Sequence, residues 1–291
     1  MTMRRSSWIT LGTTLGALGV TGGLLLLSRR ASAASSEEPA PKGSGETGES
    51  PMRPTAIPPL PTASDVKGDL SRNWGETPPD LRPLFLLMEE TARIPGSGRL
   101  FALIAYRESR FVTTAQNGDG TSASEKAERE ASRNAYENRK DKNPPLRHGE
   151  ASADFGSGGL FGALAPYFLW TGVPEVGKRA PLLNAPPELM FEPRVAGFAA
   201  AVYMMRLLKY RRIDDHADIK VGWANPSLLG SGRGGATYTK IRERFFSDAD
   251  ALGLDLEDEA TIPGPRLDVS AWPGFWEVFS GLVGALPEEY A

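Results

Sequence analysis

The sequence contains no cysteine and only two histidines, His148 and His216. A disulfide framework, a thiolate zinc site and an iron–sulfur centre are thereby excluded, and a His-rich metal centre with them. There is no basic excess either: 33 Lys and Arg stand against 36 Asp and Glu, a formal net charge of −3. That balance argues against nucleic-acid binding by phosphate neutralisation. No internal repeat is present. Period-two stretches are scarce, and residues 219–223 form the one short strand candidate. No Gly-x-Ser-x-Gly nucleophile elbow occurs. What remains is ordinary globular composition, 40% apolar, 24% charged and 9% aromatic over 291 residues. Whole-chain disorder and a fibrous repeat do not fit it.

The chain divides by composition into three stretches: 1–30, 31–79 and 80–291. The first carries Arg4 and Arg5, then an uncharged run of 21 residues from Trp8 to Ser28, then Arg29 and Arg30. Such a run is long enough to span a bilayer. With Ala31-Ser32-Ala33 behind it, it also has the parts of a secretory signal. It therefore reads as a transmembrane anchor or a signal peptide, and either one exports the rest of the chain. The arginine pairs at its two ends do not set its orientation. Residues 31–79 hold nine of the 24 prolines and a single aromatic, Trp74. They read as a disordered, semi-extended linker that reaches away from a membrane.

The stretch 80–291 has the pattern of one mainly α domain. Asp80 is placed to cap a helix whose stripe is Leu81, Leu84, Phe85 and Met88. The Ile94-Pro95-Gly96 turn ends it. Further helices are expected over residues 99–111, 124–140, 193–210, 237–252 and 274–286. In the third, Ala123, Ala127, Ala131 and Ala135 supply a thin contact stripe on an otherwise charged surface helix. Val195, Phe198, Val202 and Met205 form the stripe of the fourth, and Phe279, Leu282 and Val283 that of the last.

The helix over 99–111 carries the informative residue. Its stripe runs Phe101, Ile104, Glu108, Phe111, so Glu108 stands where the helical period asks for an apolar side chain. A carboxyl facing an apolar interior is desolvated, which favours its neutral form. A protonated glutamic acid is what general-acid cleavage of a glycoside requires. The alternative is a structural glutamate paired with an arginine such as Arg194 or Arg206.

The segment Ile104-Ala105-Tyr106-Arg107-Glu108-Ser109-Arg110-Phe111 resembles the Glu-Ser motif of lytic transglycosylases with a lysozyme-like domain. That family has an apolar helix, Glu-Ser and an aromatic, then a Gly-Leu-Met-Gln-like turn, then an Ala-Tyr-Asn-Ala-Gly-like turn. Gly159-Leu160-Phe161-Gly162, leading to Pro166, looks like the second element, and Trp223-Ala224-Asn225-Pro226 like the third. The resemblance spans residues 81–240, and the Glu-Ser helix is its most specific part. Phe161 stands for the family methionine, Gly162 for the glutamine and Asn117 for a serine that follows the glutamate. An insertion over 121–153 separates the first two elements.

The resemblance implies cleavage of the MurNAc–GlcNAc bond of peptidoglycan with Glu108 as sole acid and base. Glu108 protonates the glycosidic oxygen, then takes a proton from the muramic C6 hydroxyl, which closes on C1 to leave a 1,6-anhydro end. Ser109, Asn117, Phe161, Trp223, Asn225 and Tyr203 are the expected substrate-binding residues, with Tyr238 a weaker one of the same kind and Phe161 equally suited to core packing. No cofactor is implied. The partners are peptidoglycan glycan strands and, through the N-terminal segment, the bacterial membrane; nucleic acid is not among them. The chain would then work in the cell envelope, periplasmic, anchored in the inner membrane or secreted. A hydrolytic muramidase would need a second carboxylate about 5–10 Å away, for which Asp119 and Asp154 are the candidates. A glycan-binding scaffold without catalysis is the alternative from another class.

Other patterns carry less. Gly230-Ser231-Gly232-Arg233-Gly234-Gly235 has the letters of a dinucleotide fingerprint without alternating strands and helices, and reads as a flexible loop. Residues 172–178 have phosphate-loop spacing, but Arg179 follows where Ser or Thr is needed. Asn117, Asp119, Thr121 and Glu128 mimic part of a calcium loop that has Ser122 in place of its glycine. His148 and His216 both read as surface residues.

Overall fold

Helix dominates the residues that the computed structural model describes, which are 57–116, 122–138, 155–164, 185–255 and 273–284. All belong to the compact unit from Pro41 to Ala291. The apolar run of residues 8–28 and the first part of the linker lie outside them. Among the described residues no helix is long and apolar enough to cross a membrane.

Helix α1 (Arg82–Ala92) starts on Pro83, whose missing N–H is not needed in a first turn. Asp80 does not cap it: Leu81 holds the cap position and no side chain bonds there. Leu84, Phe85 and Met88 are fully buried, as the stripe requires. Helix α2 (Ser97–Ser109) begins two residues ahead of the expected start, after Gly96 in the left-handed region (φ 79°). Every residue from Ser97 to Ala105 is buried.

Helix α3 (Ala123–Glu137) opens on a capping box between Ser122 and Glu125. Its inward face is not centred on the alanine stripe. Ala123 and Ala127 are exposed and Ala131 is half-buried, while Ser132 is buried and Glu128 and Tyr136 are half-buried. The face therefore runs 128–132–136, one step round the helix from the alanines. Strands β1 (Ser157–Gly158) and β2 (Ala163–Leu164) pair antiparallel, Ser157 with Leu164 and Gly158 with Ala163. Between them lies the turn Gly159-Leu160-Phe161-Gly162, closed by a bond from the Gly162 N–H to the Gly159 carbonyl at 3.1 Å.

Helix α4 (Pro193–Tyr210) is buried on nearly every side, with Val195, Phe198, Val202 and Met205 in the core. Residues 219–223 are helical, not a strand: they lie in α5 (His216–Ala224), whose cap is Asp215 accepting from the Asp218 N–H. The apolar alternation there reflects burial all round, since every residue from Ala217 to Trp223 is buried. Helix α6 (Ala236–Leu252) and helix α7 (Phe275–Leu282) complete the set. The α7 stripe packs inward, with the Phe279 ring edge-on to Phe198 at 5.2 Å.

Helix α1 is central and packs against α2, α4 and α7. On the far side α6 covers both α2 and α5. The fold also extends upstream of residue 80, into part of the expected linker. Ile57, Leu60, Val66 and Leu70 pack against the core, and Trp74 is buried within it. The Glu76 N–H bonds the Leu252 carbonyl at 2.8 Å, and the Asn73 amide donates to the Gly253 carbonyl at 3.1 Å. Gly75 approaches that helix end so closely that a Cβ would meet the Leu252 oxygen at 1.9 Å. Sparse apolar residues suffice here because the helices already provide the core that they cover.

Trp74 thus belongs to the core and not to a tether. Trp74→Ala is expected to lower the unfolding free energy by about 3–5 kcal/mol, the usual cost of truncating a buried Trp. A shift in the urea midpoint with unchanged slope checks it, and an unchanged midpoint would return residues 57–79 to the linker.

Candidate functional site

Glu108 lies on the last turn of α2, where the helix leaves the core. Its neighbours Tyr106 and Arg107 are half-buried and Ser109 is buried. The chain then turns through two consecutive left-handed residues, Arg110 (φ 55°) and Phe111 (φ 66°). Neither is glycine, so each holds an unfavourable backbone at a cost of roughly 1–2 kcal/mol. The contacts of the two side chains offset it. The Arg110 guanidinium stacks on Tyr106 at 4.0 Å, and the Phe111 ring packs on Phe85 and Tyr106. Strain of this kind gathers where a side chain must be aimed.

Glu108 is ion-paired, but not with Arg194 or Arg206. Its Oε1 accepts from the Lys220 ammonium on α5. Lys220 is the inner member, with 9% of its side chain exposed against 24% for Glu108. Arg194 donates instead to the Leu282 carbonyl at 3.2 Å. Arg107 pairs with Asp248 on α6 at 3.4 Å.

The glycine turn closes over the same place. A Cβ built on Gly162 would lie 3.1 Å from the Glu108 Cβ and 3.3 Å from its Oε2. The Gly162 φ of 55° also favours glycine. At the other end of the turn, a Cβ on Gly159 would strike the Met190 carbonyl oxygen at 1.9 Å. Ser109 ties helix to turn: its hydroxyl donates to the Leu160 carbonyl at 2.7 Å, with the Ala105 carbonyl at 3.1 Å as the other acceptor. Ser109 is therefore a buried clasp and not a surface for substrate.

Of the other expected substrate contacts, three aromatic residues lie in or against the core. Phe161 is fully buried against Phe85, Phe101 and Trp223, so it is core. Trp223 is buried between Phe161 and the edge-on ring of Tyr203 at 5.3 Å. The Tyr203 hydroxyl donates to the Gly222 carbonyl at 3.1 Å, and burial pushes it up to about 12. These three rings wedge α4, α5 and the glycine turn together. Asn225 is exposed, but its carboxamide oxygen caps the following 3₁₀ turn by accepting from the Ser227 N–H at 3.0 Å. Asn117, Asp119, Asp154, His148 and residues 172–178 lie outside the described residues. Glu128 accepts from the Ser157 hydroxyl at 2.7 Å and so joins α3 to the hairpin.

The other face of α5 is also charged. The fully buried Asp218 accepts from Tyr238 at 2.6 Å, from Arg233 and Arg242 at 2.8 Å each, and from the Asp214 N–H at 2.9 Å. Arg233 pins the glycine-rich segment, which is thus a held turn and not a free loop. Burial pushes Asp215 up, but hydrogen bonds from Arg242 and the backbone outweigh it and hold its carboxyl below the usual range. His216 is half-buried, not a surface residue, and desolvation lowers its imidazole below the ordinary value. Among the described residues no three His, Asp or Glu side chains gather to hold a metal ion.

Sequence reasoning missed Lys220. The available signal was a lone lysine in the apolar run Ile219-Lys220-Val221-Gly222-Trp223. Two stability changes follow from this geometry. Asp218→Asn leaves two guanidiniums without their shared carboxylate and is expected to cost about 3 kcal/mol or more in chemical denaturation. Gly162→Ala combines a left-handed β-carbon with crowding of Glu108 and is expected to cost about 1–2 kcal/mol; an unchanged midpoint would show that the turn can swing off Glu108 freely. No protein-family model, curated protein or solved structure matches this chain.

Proposed function

We propose that the protein is a peptidoglycan lytic transglycosylase that cleaves the MurNAc–GlcNAc bond with Glu108. The observation that carries this reading is the setting of Glu108. It is a part-exposed carboxylate at the end of a helix buried from Ser97 to Ala105, followed by a strained turn and flanked by a glycine turn clasped through Ser109. General-acid cleavage needs a carboxyl held rigidly beside the scissile bond. A transglycosylase needs only one, because the substrate's own C6 hydroxyl is the nucleophile. In this scheme the C1–O bond breaks as the leaving oxygen takes a proton. The C6 oxygen then bonds to C1 as its proton passes to Glu108. Glycan strands would run across the C-terminal end of α2. The N-terminal segment, as anchor or signal, would place the domain in the cell envelope.

The ion pair favours a second reading, a glycan-binding scaffold on the same fold, since a glutamate engaged by Lys220 has no proton to give in that state. The two readings separate on one experiment. The full chain is incubated with isolated sacculi beside Glu108→Gln, and released fragments are identified by mass spectrometry. Anhydromuramic ends that fall at least about 100-fold in the variant, within the usual range for loss of a general acid, are the expected outcome. Reducing ends that depend on Glu108 would make the enzyme a hydrolase. Binding to sacculi with no fragments from either protein would favour the scaffold.

A further inference from the structure

The two oxygens of Glu108 face different surroundings. Oε1 accepts from Lys220. Oε2 lies toward Gly162, whose backbone comes so close that a Cβ there would sit 3.3 Å from it. The lysine is the inner partner and the carboxylate the outer one. Lysine is an odd choice for a purely structural pair at this depth. Arginine would grip a carboxylate through two parallel N–H bonds and never lose its charge. What lysine offers and arginine does not is a proton that can leave.

We infer that Lys220 is the proton store behind Glu108, an assignment that rests on the transglycosylase reading. One proton passes from Nζ to Oε1. The carboxyl turns about its soft terminal torsion away from Lys220, and the same proton goes to the glycosidic oxygen as the C1–O bond breaks. The muramic C6 hydroxyl then gives its proton to Glu108 while the C6 oxygen bonds to C1. That proton returns to Nζ, so the protein ends as it began. Lys220 touches no substrate; it is a positioning residue that also supplies the proton Glu108 delivers.

Lys220→Arg and Lys220→Ala in the full chain test this, with release of anhydromuramic ends, sacculus binding and thermal melting measured together. Lys220→Arg is expected to melt and bind like the parent but to release ends at least about 100-fold more slowly. Lys220→Ala is expected to be as slow, with partial recovery in ethylamine and none in ethylguanidinium. A Lys220→Arg protein at the parental rate would overturn the relay, because a fixed charge would then suffice. Should the arginine variant fail to fold, the alanine variant decides: recovery by the amine alone supports the store, and any other pattern overturns it. If the parent itself releases no anhydromuramic ends, the transglycosylase reading fails and the relay with it. An active parent beside an equally active arginine variant removes the relay alone.

Discussion

A charge that must emerge from an apolar core needs a partner, and the ion pair between Glu108 and Lys220 answers that need for two helices at once. Helix α2 is buried from Ser97 to Ala105, and α5 from Ala217 to Trp223. Each carries one ionised group toward the other. Removing either would strand its partner in a poorly solvated place, which is far more costly than the pair itself is worth. The pair therefore fixes where the end of α2 stands relative to α5, and the glycine turn and the aromatic wedge are built around that setting.

Helix α5 is locked from two sides. Asp218 and Lys220 are two residues apart, so they leave the helix in nearly opposite directions. Lys220 goes to Glu108, while Asp218 goes to Arg233, Arg242 and Tyr238. Rotation of α5 about its axis cannot relieve one contact without breaking the other. Trp223, one turn on, is held between Phe161 and Tyr203. A nine-residue helix would be a weak support by itself. With opposite charges anchored on opposite faces, it becomes a rigid mount for the Lys220 ammonium.

The helical pattern was legible where a helix ran long enough to repeat its period. Leu84, Phe85 and Met88 in α1 and Val195, Phe198 and Val202 in α4 are buried as the 3.6-residue period required. It failed for α5, because a nine-residue helix buried on all sides shows no polar face and too few turns to reveal its period, and its apolar alternation imitated a strand. It failed again for Trp74, since composition registers the prolines around a residue but not the surface waiting for it. Glu108 was legible as an exception to its stripe. Its partner was not, because Lys220 lies 112 positions away on another element and no local rule links them. The aromatic residues Phe161 and Trp223 were legible as important and misassigned in role: a ring suited to a sugar face is equally suited to a core, and only burial separates the two.

That last point bears on how the site would read a ligand. With Phe161 and Trp223 in the core and Ser109 spent on the Leu160 carbonyl, these three side chains are not offered to a sugar. Among the described residues, the turn at Gly162 lies directly against Glu108. A glycine fits here because any side chain would crowd the Glu108 Cβ and Oε2. The rigidity of this place comes from beneath, from the packed rings of Phe161, Trp223 and Tyr203 and the two-sided anchoring of α5, because a short helix held from only one face could rotate and carry Lys220 off Glu108.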